Sequence, residues 1–167
     1  VIGGSSIEIL KRIENSYKNN LEKIAFHSRE GEITYKELWE KSDKLATWIV
    51  GKKGEDLTPI VVYGHKSPFM LVCFLACVKA GRAYCPVDLS MPHERIAAII
   101  KKVGNDIAFA TEEIPYEVEE AKLVDFISTN EINEIIDDAC CESSKHGTTP
   151  GAGSKKRCGV SAEKIGS

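Results

Sequence analysis

The sequence has 167 residues, room for one ordinary domain with a core able to fold unaided. Its composition, 43% hydrophobic and 28% charged, is that of a soluble globular chain. The formal net charge is -3 and no face is loaded with Lys or Arg, so no nucleic-acid partner is expected.

No apolar run approaches the roughly 20 residues of a membrane span, and no signal peptide is expected ahead of the charged amphipathic start. A cytoplasmic location is the expectation. The chain begins Val1-Ile2-Gly3-Gly4, without Met, which reads as a chain processed or cut from something longer.

The six cysteines make no metal or disulfide pattern. Cys73 and Cys77 lie four apart in an apolar helical run and Cys85 in a strand-like run, all three as small buried hydrophobes. Cys140 and Cys141 are adjacent, and Cys158 is isolated.

In chain order, residues 7–17 carry apolar side chains at helical spacing, with Ser5 or Ser6 as a cap and Asn19-Asn20 as the end. Residues 23–27 and 32–34 read as two short strands joined by a turn at Glu30-Gly31, a small hairpin. Residues 35–50 give the clearest helix: Leu38, Trp39, Leu45, Trp48 and Ile49 make an apolar face, and Glu40 and Lys44 an i,i+4 pair.

From Pro59 onward, buried strands alternate with helices. Residues 60–63 form a strand with almost no polar residue, as when both sheet faces are covered. A helix over 68–80 closes at Gly81; a strand over 83–87, a helix over 92–102 and a strand over 106–110 follow. Two successive right-handed β-α-β units predict an α/β fold with a parallel, doubly wound sheet flanked by helices.

Residues 131–136 allow one more short helix. From Asp138 to Ser167 there is no Leu, Phe, Tyr, Trp or Met, too little apolar surface to offset the ordering entropy. The expected organisation is therefore a folded portion over 1–137 and a low-complexity, disordered or aberrant tail over 138–167.

In open α/β sheets, ligands bind outside the carboxyl ends of the strands. Gly64-His65-Lys66-Ser67 and Asp88-Leu89-Ser90 leave their strands in that direction. Lys66 and Ser67 offer an anion site at a helix N-terminus, but Ser67 as N-cap with Pro68 at N1 is the favoured reading. Asp88 is either a general base or, preferably, a strand-ending cap. His65 has no carboxylate or Cys near it in sequence and is expected to be structural or solvated.

Two motifs carry a family resemblance. Ile33-Thr34-Tyr35-Lys36-Glu37-Leu38 resembles an early motif of AMP-forming acyl- and amino-acid-adenylating enzymes. Val78-Lys79-Ala80-Gly81-Arg82-Ala83-Tyr84-Cys85-Pro86-Val87-Asp88 resembles their longer and more specific second motif. Both are architectural: Gly81 suits a helix C′ position with φ > 0, and Pro86 is expected late in its strand, where a lost amide bond costs least. The run from Val61 to Met70, with Asp88 to Pro92 and Arg95, is most similar to the D-alanine–carrier protein ligase branch. The resemblance covers residues 7–126, and nonribosomal peptide synthetase adenylation domains share both motifs.

The resemblance implies a reaction in which a carboxylate, D-alanine in that branch, attacks the α-phosphate of Mg²⁺-bound ATP. An acyl-adenylate and pyrophosphate form, and the acyl group then passes to the phosphopantetheine thiol of a carrier protein. In the D-alanine branch the carrier is the D-alanyl carrier protein, and the end is D-alanylation of cell-wall teichoic acids. It also implies a Ser/Thr/Gly-rich phosphate loop after a buried strand. Here Lys145-His146-Gly147-Thr148-Thr149-Pro150 stands at about that place, with Pro150 where Gly is expected, no Pro-Lys-Gly ending and no apolar strand before it. Thr148, Thr149 and Lys155 are the residues that echo the loop and would touch ATP; no catalytic residue and no metal ligand is assigned. The expectation is a fold-bearing ligase portion that binds ATP poorly and is inactive by itself. A portion of another amino-acid adenylation domain, of the nonribosomal peptide synthetase type, is the second reading. A non-catalytic α/β interaction module that self-associates through an uncovered face is the reading from a different class.

Overall fold

A computed structural model describes residues 4–115 and 117–143, with the side chains of 1–7, 116 and 139–143 left aside. Five α-helices and six strands alternate as α1 (Gly4–Asn19), β1 (Ile24–Ser28), β2 (Gly31–Thr34), α2 (Tyr35–Lys53), β3 (Ile60–Gly64), α3 (Pro68–Lys79), β4 (Tyr84–Asp88), α4 (His93–Val103), β5 (Ile107–Ala110), β6 (Asp125–Ser128) and α5 (Thr129–Ser143). A short 3₁₀ helix, Glu119–Leu123, precedes β6.

Strands β1 and β2 form the expected antiparallel hairpin. The other four make one parallel sheet in the order β4-β3-β5-β6. Side-chain alternation sorts the core onto its two faces. Ile60 and Val62 of β3, Phe109 and Ile127 point into a cluster with Leu45 and Ile49 of α2, Val72 and Cys73 of α3, and Ile132 and Ile136 of α5. Val61, Tyr63 and Ala108 point the other way, to Val87, Ile96, Ile100 and Val118. Each fully buried aliphatic side chain contributes on the order of 1.5–3 kcal/mol, so the doubly wound arrangement follows from strands apolar on both faces.

The family-like motifs now have physical meaning. Thr34 caps α2 in a reciprocal box: Glu37 N–H donates to Thr34 Oγ1 at 3.1 Å and Thr34 N–H donates to a Glu37 carboxylate oxygen at 2.9 Å. The Thr34 N–H first, and then the Thr34 hydroxyl donating to the same oxygen at 2.9 Å, hold the Glu37 carboxyl below its usual range. In the longer motif, Gly81 has φ 74. Its N–H donates to Val78 O and Arg82 N–H to Cys77 O, the two bonds of a Schellman close to α3.

Several expectations are corrected. Helix α1 begins at Gly4, so Ser5 and Ser6 lie inside it and not at its cap. Among the ion pairs of the described residues, Glu40–Lys44 is absent. Pro86 sits in the middle of β4, not late in it, and is tolerated because β4 is an edge strand among the described residues. Strand β6, four residues long, was not foreseen. Helix α5 runs well beyond 131–136, across the expected 137/138 boundary, because Ile132 and Ile136 anchor one of its faces in the core.

Candidate functional site

The carboxyl ends of β3 and β4 meet because the parallel register pairs Gly64 with Asp88. That register brings His65 to Asp88: Nδ1 and Oδ2 are 2.7 Å apart across 23 residues of sequence. His65 thus has the structural role expected of it, with a carboxylate partner that is distant in sequence. The missing signal was the strand register, which nothing local encodes.

Asp88 also behaves as the favoured strand-ending turn. Its Oδ1 accepts from Ser90 N–H at 2.9 Å and Ser90 O–H at 2.7 Å. The Ser90 hydroxyl first, and then His65, hold the Asp88 carboxyl well below the usual carboxylate range. An ionised Asp88 only accepts, so the bonded Nδ1 carries the proton and Nε2 is the ring nitrogen left over.

The neighbouring loop is a helix start, as favoured. Ser67 Oγ accepts from Phe69 N–H at 3.3 Å, and Pro68 occupies the first turn without an N–H of its own. The amino end of α3 therefore has one amide already satisfied and one missing, a poor cradle for a phosphate. Lys66, exposed, takes the left-handed conformation at φ 48.

Gly64 is required for contact reasons. A Cβ there would stand 2.0 Å from Thr111 Oγ1, and its φ is +154. Thr111 leaves β5 beside it, donating its N–H to Tyr63 O at 2.9 Å, while its buried hydroxyl has no partner among the described residues. Beyond Thr111 an open cavity of about 670 Å³ lies under the ends of β5 and β6, between Glu112, Ile114, Val118, Phe126 and Thr129.

Lys79 of the longer motif is a packing residue. Its Nζ lies 3.5 Å from the Trp39 ring centre, donates to Trp39 O at 2.9 Å and pairs with Asp43 at 2.7 Å. Tyr17 of α1 stacks on Trp39, ring centres 5.4 Å apart. Burial first pulls the Lys79 ammonium down, with Asp43 opposing. Arg82 is 4% exposed, donates Nη2 to Gly54 O at 3.0 Å, and has Nε and Nη1 without partners among the described residues.

Cys73 and Cys77 are fully buried, as expected of small hydrophobes, whereas Cys85 on strand β4 is only partly buried. Burial pushes the Cys77 thiol up to about 12 and the Cys73 thiol well up too. Among the described residues no group of three His, Cys, Asp or Glu is placed to hold a metal, and no helix is long and apolar enough to cross a membrane. Thr148, Thr149 and Lys155 lie outside the described residues, as do Cys158 and the side chains of Cys140 and Cys141.

Comparison with known proteins agrees with this architecture. The model of the AMP-binding enzyme family matches residues 13–158. The D-alanine–D-alanyl carrier protein ligase of Bacillus cytotoxicus is 42% identical over 108 residues, 65% of this chain and 21% of that protein. The ligase of the same name from Bacillus cereus strain B4264 is 46% identical over 98 residues, 59% of this chain and 19% of that one. The chain thus spans about a fifth of the length of these relatives.

Among solved structures, VinN with L-aspartate superposes with a TM-score of 0.68 at 16% identity, over 85% of this chain and 40% of VinN. The nonribosomal peptide synthetase FmoA3, bound to α-methyl-L-serine-AMP, gives 0.62 at 17% identity, over 71% of this chain and 14% of the synthetase. At such identities the likeness speaks for the fold alone. With a family model matched over most of its length, the chain belongs to the AMP-binding enzyme family.

Proposed function

We propose that this chain is the amino-terminal scaffold of an ATP-dependent, AMP-forming ligase that activates D-alanine and delivers it to a carrier protein for teichoic acid D-alanylation. The observation that carries the proposal is the 42–46% identity, over about a hundred residues, to ligases of that name. The protein is cytoplasmic in this reading, and D-alanine and the carrier protein are its partners.

The described residues hold structure. Thr34 and Glu37 start α2, Gly81 closes α3, and the His65–Asp88 bond ties two loops at the carboxyl end of the sheet. The amino end of α3 is a poor cradle for a phosphate, and among the described residues no group of three His, Cys, Asp or Glu is placed to hold Mg²⁺. The nucleotide contacts proposed within this sequence are Thr148, Thr149 and Lys155, and the 167-residue chain alone is inactive.

Replacing the matching segment of the Bacillus cereus ligase with residues 7–126 of this chain tests the assignment. A chimera with D-alanine-dependent ATP–pyrophosphate exchange supports it. A folded chimera that prefers another amino acid, or none, contradicts it.

A further inference from the structure

We propose that Pro86 closes the outer edge of β4 to strand pairing with a second copy of this chain. The direction of each backbone group follows from two bonds. Thr111 N–H donates to Tyr63 O, so Tyr63 and Val61 face β5; Ile60 N–H donates to Ala83 O, so Ile60 and Val62 face β4. In β4 the residues facing β3 are therefore Cys85 and Val87, and those facing outward are Tyr84, Pro86 and Asp88.

Three outward residues would present three N–H and three C=O groups. Pro86 has no N–H, and Asp88 O already accepts from Met91 N–H. The edge is broken at its centre and blunted at its carboxyl end. The opposite edge is short as well: Asp125 N–H donates to Asp106 O, so Phe126 and Ser128 face outward, and Ser128 N–H is held by Glu131.

A second copy is the strand partner that this edge would otherwise fit. Tyr84-Cys85-Pro86-Val87 is uncharged and rich in strand formers, and Tyr84 and Pro86 are exposed. Antiparallel pairing about a two-fold axis at residue 86 sets Tyr84 opposite Asp88 of the copy and Pro86 opposite itself. An N–H at 86 would then give two N–H···O=C bonds at the centre of the pair; proline removes both. Self-association through this edge is thereby opposed while the ladder to β3 is untouched.

The test is sedimentation velocity on the 167-residue chain and its Pro86→Ala and Pro86→Val variants, with circular dichroism to establish folding. Self-association at least about tenfold stronger than wild type, the equivalent of one hydrogen bond of ordinary net strength, is expected for both. Folded variants that sediment like wild type at every concentration overturn the proposal. Should neither variant fold, amide exchange on dilute wild type decides. Rapid exchange at Tyr84 and Asp88, with protection at Cys85 and Val87, supports an open, guarded edge; protection at Tyr84 overturns it.

Discussion

His65 and Asp88, 23 residues apart in sequence, are bonded at 2.7 Å because parallel strands β3 and β4 end level with one another. The bond fastens the loop that starts α3 to the loop that leads into α4. Both side chains are more than a third exposed, so its worth is that of a surface pair, about 0.2–1 kcal/mol.

Asp88→Asn should lower stability by that amount near neutral pH. The folded-state pKa of Asp88 is depressed, so its contribution is present above the unfolded value of about 4 and is lost as pH falls through the lower folded value. Urea midpoints for wild type and variant should therefore differ at pH 6 and converge in strong acid. A difference that grows on acidification would contradict the assignment.

Gly64→Ala should cost on the order of 1–3 kcal/mol, because its Cβ meets Thr111 Oγ1 in a conformation that L-residues avoid. Thr111→Ala removes that oxygen, itself buried without a partner, and should be close to neutral. The Gly64→Ala penalty should shrink in the Thr111→Ala background. Equal penalties in both backgrounds would mean that the contact is not the cause.

Arg82→Ala should be more damaging than Arg82→Met. Both leave Gly54 O without its donor, but Met keeps the apolar stem and sheds two buried, unpartnered nitrogens. Roughly 2–4 kcal/mol for Ala and less than half of that for Met are expected by chemical denaturation.

Lys79→Ala should weaken the docking of α1, since Lys79, Trp39 and Tyr17 form one stack. A loss of about 1–2 kcal/mol is expected. Faster amide exchange in α1 than in α4 would locate the effect; uniform acceleration across the chain would argue for a general loss of packing.

The sequence predicted the architecture well where the physics is local. An uncharged β3, Pro68 after Ser67 and Gly81 after an apolar helix each follow from a single segment's needs. The site was less legible because its relationships cross the sheet. His65 finds Asp88 only through strand register, and Gly64 meets Thr111 only because β3 adjoins β5. Pro86 was expected late in its strand, since sequence does not say which strand is an edge. Strand β6 escaped notice because Phe126 and Ile127 alone are too short an apolar run to separate from a loop.

The central claim is a folded scaffold of the AMP-binding family that does not itself adenylate. ATP–pyrophosphate exchange on the purified 167-residue chain, with D-alanine, L-alanine or no amino acid, tests it most directly. No exchange from a chain with a folded circular-dichroism spectrum is the predicted result. D-alanine-dependent exchange would contradict it and give this chain a working adenylation site.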